Sequence, residues 1–218
     1  MKLDRYNSFV FDCDGVLLDS NAIKTDAFFQ AALPYGEAAA KALVEYHKAH
    51  GGISRFVKFE YLFKTLLGRD DYEADLKTVL ESYGVIVRQK LFECRETPGM
   101  RDFLKALPKE ARKIVVSGGM QSELREVFKQ RKLAGFFDAI YGSPDTKAQI
   151  LQRESEAGNL KEPAVFFGDS RLDYEAAKAF GMDFVFVVDH TEFADWQHFF
   201  ADKPVTIAAH LGDLIKEC

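Results

Sequence analysis

Two aspartates separated by a single residue, Asp12 and Asp14, directly follow a short apolar run near the start of the chain. A second pair of acids, Asp169 and Asp173, follows a later apolar run. Acids gathered at one place repel one another, since two unit charges roughly 4 Å apart cost about 4 kcal/mol at an effective dielectric of about 20. A hard divalent cation relieves that repulsion. Asp12 and Asp169, with a backbone carbonyl nearby, offer the oxygen ligands that Mg²⁺ takes, so the acids predict a Mg²⁺ site.

The spacing of the first two aspartates suits phosphoryl transfer. Because side chains alternate along a strand, Asp12 and Asp14 point the same way while Cys13 points away. A carboxylate can attack phosphorus and form an aspartyl-phosphate once a cation has reduced the charge of the phosphate oxygens. A second carboxylate beside it can protonate the leaving oxygen and later activate water. We therefore predict that Asp12 is the nucleophile and Asp14 the general acid/base.

Two other positions could hold a phosphate group. Ser117 and Gly118 offer a hydroxyl and bare backbone N–H groups after another strand, as at the start of a helix, although Ser-Gly-Gly is also a common turn. Lys147 stands in the first turn of a predicted helix, where a cation opposes the helix dipole, and pairing with Asp12 and the transferred phosphoryl group would explain it. An exposed lysine is the alternative there, and helix capping is the alternative for Asp173.

The elements that must position these residues are predicted from short apolar runs. Six of them read as buried strands: Phe9–Asp12, Lys113–Ser117, Asp138–Tyr141, Ala164–Gly168, Phe184–Val188 and Val205–Ala208. Amphipathic helical patterns lie between them, so the fold class is α/β, with a Rossmann-like parallel sheet and right-handed crossovers. Because the carboxyl ends of parallel strands form a ligand crevice, the polar groups meet there if their strands are neighbours.

The stretch from residue 20 to residue 93 has helical periodicity and no convincing strand. It predicts an inserted α-helical cap domain at 20–93, with an α/β catalytic core domain formed by 1–19 and 94–218. The loop Ala49–Arg55 separates two cap helices and is predicted to reach toward the crevice. Arg55 and, one turn later, Lys58 are candidates for substrate binding, with solvated surface cations as the alternative. The cap could close as a lid that excludes water.

Composition limits the partners and the location. The 218 residues carry a formal net charge of -5 without a long basic run, so nucleic acid is not an expected partner. No signal peptide or spanning apolar segment is recognisable, and the cysteines, Cys13, Cys94 and Cys218, suit a reducing compartment. We expect a soluble, cytoplasmic protein with no membrane partner, as a monomer or a homodimer. The aromatic segment Thr191–Lys203 is interpreted as core, with an interface as the alternative.

Four segments together resemble the haloacid dehalogenase-like hydrolase superfamily: DxDGV at Asp12–Val16, the serine Ser117, Lys147, and GDSxxD at Gly168–Asp173. The resemblance covers nearly the whole chain, with the helical insert in the place of the family's cap. It implies that Asp12 is the nucleophile, Asp14 the acid/base, and Ser117 and Lys147 the phosphate-holding residues. It also implies that Mg²⁺ is bound by Asp12, Asp169 and the carbonyl of Asp14, with Asp173 in support.

Within that family the residues favour a phosphatase acting on a small phosphorylated metabolite, a sugar phosphate or a phosphoglycolate-like acid. Its dehalogenases and phosphonate-cleaving members lack the second aspartate, which is present here as Asp14. The main alternative is a mutase of the β-phosphoglucomutase kind, because Gly52–Arg55 is similar to its G-V-S-R loop. Lys24, Met120-Gln121 and Gly168 depart from the mutase pattern. A non-catalytic Mg²⁺-binding phospho-acceptor domain is a remote alternative.

Overall fold

A single six-stranded parallel sheet forms the core of the computed structural model, which describes residues 2–215. Its strands are β1 Ser8–Phe11, β2 Arg112–Met120, β3 Ala139–Ser143, β4 Ala164–Gly168, β5 Asp183–Val187 and β6 Thr206–Ala208. They lie in the order β3-β2-β1-β4-β5-β6, and every adjacent pair is parallel. The predicted α/β fold is therefore confirmed.

Helices make up the insert after β1 and alternate with the strands in the rest of the core. Those between β1 and β2 are α1 Asn21–Ala32, α2 Glu37–Ala49, α3 Arg55–Tyr61, α4 Glu73–Glu93 and α5 Met100–Ala106. Those after β2 are α6 Gln121–Gln130, α7 Lys147–Glu156, α8 Arg171–Ala179 and α9 Trp196–Phe200. Short 3₁₀ turns lie at Leu3–Arg5, Leu33–Tyr35, Ala134–Phe136 and Leu211–Ile215, and a π-helical turn at Leu62–Leu66. Within the described residues, the segment between α1 and α4 contains no strand, as the sequence predicts.

Both faces of the sheet are buried at its central strands β1 and β4, which explains why these strands are continuous apolar runs. Phe9 and Phe11 of β1 pack into one apolar cluster, while Val10 between them packs into the other. This alternation follows from the strand period of two. The Phe11 ring stacks on Phe167 of β4 with a centroid separation of 4.9 Å. Aromatic stacking across the central strands therefore helps to fix the position of β1, whose end carries the first aspartate.

The insert has its own aromatic core, built from different helices. Phe28 of α1 contacts Phe59 of α3 and Tyr83 of α4, with ring centroids 5.2 and 4.4 Å apart. The sequence pattern predicts an apolar helical stripe of Phe56, Phe59, Phe63, Leu66 and Leu67, but only Phe59 and Phe63 of these are fully buried, and Leu62 is buried instead of Leu66 and Leu67. The π-helical turn at Leu62–Leu66 explains the difference, since it shifts the phase of the side chains relative to a regular α-helix.

Two chain segments join the insert to the core, and they pair with each other. The Asp19 amide donates to the Arg95 carbonyl at 2.9 Å, and the Thr97 amide donates to the Leu17 carbonyl at 3.1 Å. The Thr97 hydroxyl also donates to the Val16 carbonyl at 2.6 Å. The insert therefore leaves and re-enters the core at one place.

The aromatic segment near the C-terminus belongs to the core. Trp196 and Phe200 of α9 pack against Phe186 of β5, with ring centroids 5.5 and 4.8 Å apart. The interpretation of this segment as core is consistent with these contacts. Cys13 and Cys94 are buried free thiols, whereas Cys218 lies outside the described residues. Between residues 2 and 215, no helix combines the length and apolar character that crossing a membrane would require.

Candidate active site

The polar groups at the strand ends converge because their strands are neighbours. β1 lies between β2 and β4 and is parallel to both. The Asp12 amide continues the pairing with β4 by donating to the Phe167 carbonyl at 2.9 Å. Asp12 is thereby fixed at the centre of the carboxyl edge of the sheet, beside Asp169, which follows β4 directly.

Three buried carboxylates meet at this edge. Asp12, Asp169 and Asp173 each place one carboxylate oxygen within 4.8 Å of the others. Burial and then the neighbouring acids raise the pKa of Asp169 well above its usual value. Burial also raises the pKa of Asp12, to about 7, although Lys147 opposes the shift. An all-oxygen donor set with this electrostatic strain fits a hard divalent cation, so the cluster could hold a metal such as Mg²⁺.

The turn after the first aspartates requires a glycine. Gly15 has a φ of 74°, and a Cβ atom at this position would lie 2.5 Å from Oδ2 of Asp169. That same oxygen accepts a hydrogen bond from Asn21 Nδ2 at 2.6 Å. The glycine of the DxDG pattern therefore has a steric reason, since any side chain at residue 15 would push Asp169 out of its position.

Asp173 caps a helix and joins the acid cluster at the same time. Its Oδ2 accepts hydrogen bonds from the Ser170 amide at 3.1 Å and the Ser170 hydroxyl at 2.6 Å, while Oδ1 pairs with Lys147. Ser170 and Asp173 form a capping box at the start of α8. Both carboxylate oxygens of Asp173 are therefore already engaged by this chain, which makes Asp173 better suited to supporting the cluster than to direct metal ligation.

Lys147 is buried between two of these acids rather than exposed. Its Nζ lies 3.0 Å from Oδ2 of Asp12 and also forms an ion pair with Asp173. Burial alone would lower the pKa of Lys147, but attraction to Asp12 and Asp173 outweighs burial and raises it. The side chain is therefore charged, and the exposed-lysine alternative is wrong. Thr146 forms a capping box with Gln149, which stabilises the start of α7 despite the cation there.

The predicted acid/base, Asp14, has partners that the sequence analysis did not identify. Lys24 of α1 forms an ion pair with one carboxylate oxygen, and the Ser20 hydroxyl donates to the other at 2.6 Å. The pKa of Asp14 is lowered, because Lys24 and these hydrogen bonds outweigh the opposing effect of burial. In the sequence, Lys24 stands out only as a departure from the mutase pattern. The spacing between Lys24 and Asp14 could have indicated this pair, because Lys24 lies in the first turn of α1, shortly after the chain leaves the core.

Ser117 lies beneath the site. It is fully buried, and its Oγ accepts a hydrogen bond from the Gly119 amide at 3.0 Å. The expectation that a helix starts at the glycines is wrong, because β2 continues to Met120 and α6 begins at Gln121. A register shift between Val116 and Met120 accommodates the serine and the two glycines within this strand. Gly118 and Gly119, but not Ser117, line the cavity above the acids.

That cavity, of about 360 Å³, lies between the insert and the core. Its floor includes Asp12, Asp14 and Asp169, and its roof includes the loop between α2 and α3. The roof is in close contact with the floor: a Cβ atom on Gly118 would lie 2.3 Å from the Gly52 carbonyl oxygen. The predicted approach of this loop to the crevice is therefore present.

Arg55 lines the cavity but is not a solvated cation. It is 4% exposed, and its NH1 and NH2 groups donate to the two carboxylate oxygens of Glu123 in α6 at 2.8 and 2.5 Å. The guanidinium carbon lies 4.5 Å from the centre of the Tyr83 ring. The terminal nitrogens of Arg55 thus join the insert to the core in this conformation.

Lys58 is likewise buried, at 1% exposure, so the surface-cation alternative is wrong for it as well. Its Nζ lies 2.6 Å from Nδ1 of His47 on α2, and both side chains line the cavity. Glu192, from the segment after β5, faces them and accepts hydrogen bonds from the Thr25 hydroxyl at 2.6 and 2.8 Å. His47 and Glu192 were missed, because they are distant in sequence from every recognisable motif.

A parallel sheet with an acid cluster at its carboxyl edge and a helical insert after β1 defines a haloacid dehalogenase-like hydrolase. The family model for haloacid dehalogenase-like hydrolases matches residues 9–187, and the chain belongs to this family. The resemblance inferred from the motifs is confirmed.

Two curated relatives align with most of this chain. A phosphorylated carbohydrates phosphatase of Thermotoga maritima is 27% identical over 190 residues, covering 84% of this chain and 85% of that protein. A phosphoglycolate phosphatase of Pseudomonas putida is 28% identical over 189 residues, covering 81% and 67% respectively. A solved structure of a haloacid dehalogenase-like family hydrolase from Streptococcus pneumoniae has a TM-score of 0.72 at 20% identity, with 98% of each chain covered. This last likeness concerns the fold.

Proposed function

We propose that this protein is a Mg²⁺-dependent phosphatase that hydrolyses a small phosphorylated metabolite through an aspartyl-phosphate on Asp12. The observation that carries the proposal is the placement of Asp12, buried at the strand edge with Lys147 3.0 Å away and two further carboxylates within 4.8 Å. The phosphatases among the relatives support the same reaction class, on phosphorylated carbohydrates in one case and on phosphoglycolate in the other.

Asp12 and Asp169 would hold the metal, together with the backbone carbonyl of Asp14. Bound there, Mg²⁺ would neutralise part of the charge on the phosphate oxygens and so favour attack by an anionic nucleophile. Asp173 would act through its contacts to Lys147 and Ser170, which keep the lysine directed toward Asp12.

The chain's own groups supply the remaining chemistry. Asp12 attacks phosphorus, the bond from phosphorus to the ester oxygen breaks, and that oxygen takes a proton from Asp14. In the second step Asp14 removes a proton from water, the water oxygen attacks phosphorus, and the Asp12 carboxylate is released together with inorganic phosphate. Lys147, Ser117 and the Gly118 amide are the proposed phosphate-holding groups. Because its pKa is lowered, Asp14 is ionised in this structure, which is the form that the second step requires, whereas its action as the acid in the first step requires that it take up a proton beforehand.

We further propose that residues 20–93 act as a cap domain over a core of residues 1–19 and 94–218. The paired linkers at Asp19–Arg95 and Leu17–Thr97 provide a short connection about which the insert could move as a unit. Closure would exclude water while Asp12 is phosphorylated. Arg55 and Lys58 are the proposed substrate-binding residues of the cap. Lys58 lines the cavity directly, whereas Arg55, with its terminal nitrogens bonded to Glu123, would act by favouring the closed state.

The mutase alternative depends on the likeness of Gly52–Arg55 to a loop whose arginine grips a second phosphate. The bidentate pairing of Arg55 with Glu123 supports the phosphatase instead, because it occupies the donors that such a phosphate would need. Lys24, paired with Asp14 at the position of the mutase's histidine, supports the same choice. A cytoplasmic location and a monomeric or homodimeric state remain predictions.

The test is release of inorganic phosphate from sugar phosphates, 2-phosphoglycolate and an aryl phosphate, with and without Mg²⁺. We expect Mg²⁺-dependent release that Asp12→Asn abolishes and that chelation stops. Acid quenching followed by intact mass spectrometry should detect a phosphorylated protein, accumulating in Asp14→Asn when the aryl phosphate is used. No release, accompanied by interconversion of hexose 1- and 6-phosphates, would replace the phosphatase with the mutase.

A further inference from the structure

The first turn of α1 faces the acid cluster instead of capping its own helix. Ser20 and Asn21 have side chains of the kind that usually cap helix starts, yet the Ser20 side chain makes no capping hydrogen bond to α1. Its hydroxyl donates to Asp14, and the Asn21 amide donates to Asp169. Asn21 has no part in the proposed reaction, so its contact with an acid of the cluster needs an explanation of its own.

The Asn21 amide group lies between two hydrogen-bond acceptors. Its nitrogen is 2.6 Å from Oδ2 of Asp169 and 2.7 Å from the backbone carbonyl oxygen of His190. A carboxylate and a carbonyl carry no hydrogen to donate, so the atom between them is the NH₂ nitrogen, and each of its two hydrogens has a partner. An ionised aspartate or an aliphatic side chain at position 21 could donate to neither oxygen.

The same carboxylate oxygen is covered from a second side. A Cβ atom on Gly15 would lie 2.5 Å from Asp169 Oδ2 and 2.6 Å from Asn21 Nδ2, so the glycine leaves room for this hydrogen bond and little else. Among residues 2–215, the hydrogen bond found for the Asp169 carboxylate is the one from Asn21 to Oδ2. The two oxygens are therefore unequal, since Oδ2 is bonded and covered, and Oδ1 is the better ligand atom for a cation.

The backbone of Asp169 is fixed by the segment after β5. The Thr191 hydroxyl donates to the Asp169 carbonyl oxygen and accepts from the Phe193 amide at 3.0 Å. Because His190 of the same segment accepts the second hydrogen of Asn21, one connected set of hydrogen bonds holds both the backbone and the side chain of Asp169. The carboxylate therefore has little freedom to rotate.

We propose that Asn21 is a positioning residue that presents one oxygen of Asp169 to the metal, so that the site binds Mg²⁺ in preference to Ca²⁺. The inference rests on the proposed function, in which Asp169 is a metal ligand. Mg²⁺ takes about six oxygens in a nearly octahedral shell, whereas Ca²⁺ takes about six to eight and accepts both oxygens of one carboxylate. The bond from Asn21 to Oδ2 suits the first ion and denies the second an extra ligand.

The binding experiment is calorimetric titration of Mg²⁺ and of Ca²⁺ into phosphate-free protein. Wild type should bind Mg²⁺ more tightly, and equal or tighter binding of Ca²⁺ would overturn the proposal. In Asn21→Ala we expect Mg²⁺ affinity to fall about tenfold or more, as is usual when the partner of a metal ligand is removed. Ca²⁺ affinity should fall less, because the released carboxylate can offer both oxygens.

A second variant guards against loss of the fold, and a control guards against general destabilisation. Asn21→Leu keeps the branched shape of the side chain without its donors, and an unchanged ratio of the two dissociation constants in either Asn21 variant would overturn the proposal. Asn7→Ala is the matched control. The Asn7 amide also donates to a backbone carbonyl, that of Glu162 at 2.7 Å, but Asn7 precedes β1 and so lies at the opposite edge of the sheet from the acids. Its loss should leave both affinities unchanged, and the same losses as in Asn21→Ala would reject a specific role for Asn21.

Kinetics keep the proposal separable from the phosphatase function. If the esters are hydrolysed, a higher Mg²⁺ concentration should restore kcat in Asn21→Ala with KM for the ester as in wild type, because the loss lies in metal affinity. The expected change in metal affinities without hydrolysis of any ester would sustain the role of Asn21 and reject the phosphatase. Hydrolysis with the same Mg²⁺ dependence in wild type and Asn21→Ala would reject the role of Asn21 and leave the phosphatase standing.

Discussion

Arg55 and Glu123 join the insert to the core through two hydrogen bonds of 2.8 and 2.5 Å, one to each carboxylate oxygen. Both side chains are largely buried, at 4% and 15% exposure. Arg55 is the first residue of α3, at the edge of the cavity roof. Glu123 lies in the first turn of α6, where the helix dipole also favours an acid. The pair is therefore placed to hold the roof against the core.

Glu123→Gln should weaken this attachment. Removing one partner of a buried ion pair leaves the other charge uncompensated, at a cost of about 3–5 kcal/mol. We expect a lower melting temperature and a higher KM, measured by thermal denaturation and steady-state kinetics. The matched control is Glu126→Gln on the same helix as Glu123, which breaks an exposed pair with Arg88 of α4 and should cost less than about 1 kcal/mol. A lower KM in Glu123→Gln would instead indicate that Glu123 competes with the substrate for Arg55.

Lys24→Met should slow turnover. Lys24 orients the Asp14 carboxylate from the insert side, so its loss lowers kcat by about tenfold or more, part of the roughly 100- to 10,000-fold that general acid/base catalysis contributes. The loss should be greater for an alkyl phosphate than for an aryl phosphate, because the aryl oxygen needs less protonation to leave. Lys24→Arg should restore part of the rate. Equal losses on both esters would argue for a structural role alone.

Lys58→Met should stabilise the fold at neutral and acidic pH. The pKa of Lys58 falls from 10.5 to about 7 on folding, so the unfolded chain binds more protons between these values. Its burial is therefore fully destabilising below about pH 7, and the effect fades as pH rises toward the unfolded pKa of 10.5. We expect the variant to gain about 1–3 kcal/mol in urea unfolding near neutral pH. The gain should shrink in alkaline buffer, and a gain independent of pH would contradict this account.

Gly118→Ala should prevent the observed contact between the roof loop and the strand below. The added Cβ atom would lie 2.3 Å from the Gly52 carbonyl oxygen, so one of the two backbones must move. We expect a higher KM and faster proteolysis of the insert, without global unfolding. Gly135→Ala is the control, since a Cβ atom there has no neighbour within 4 Å. Unchanged kinetics in Gly118→Ala would mean that closure of this loop is not needed for substrate binding.

Local sequence patterns were sufficient for the sheet and for the position of the acids. Continuous apolar runs identified the strands because both faces of the sheet are buried at its centre, although the edge strand β6 is largely exposed, and the DxDGV and GDSxxD segments lie at the ends of β1 and β4. Pairing of Lys147 with Asp12 was one of two interpretations that the sequence left open, because a cation at a helix start favours a charged partner, whereas its pairing with Asp173 was not predicted. The catalytic roles assigned to these residues stay predictions.

Only the tertiary structure decided which charges meet across the cavity. Lys24 reaches Asp14, Arg55 reaches Glu123, and Lys58 reaches His47 by folding of the helical insert onto itself and onto the core. In the sequence these cations look like any others on amphipathic helices, since helical periodicity indicates which face is apolar but not what that face or its edge contacts. Pairing between distant charges depends on packing, and packing is where the proposed selectivity of this protein arises.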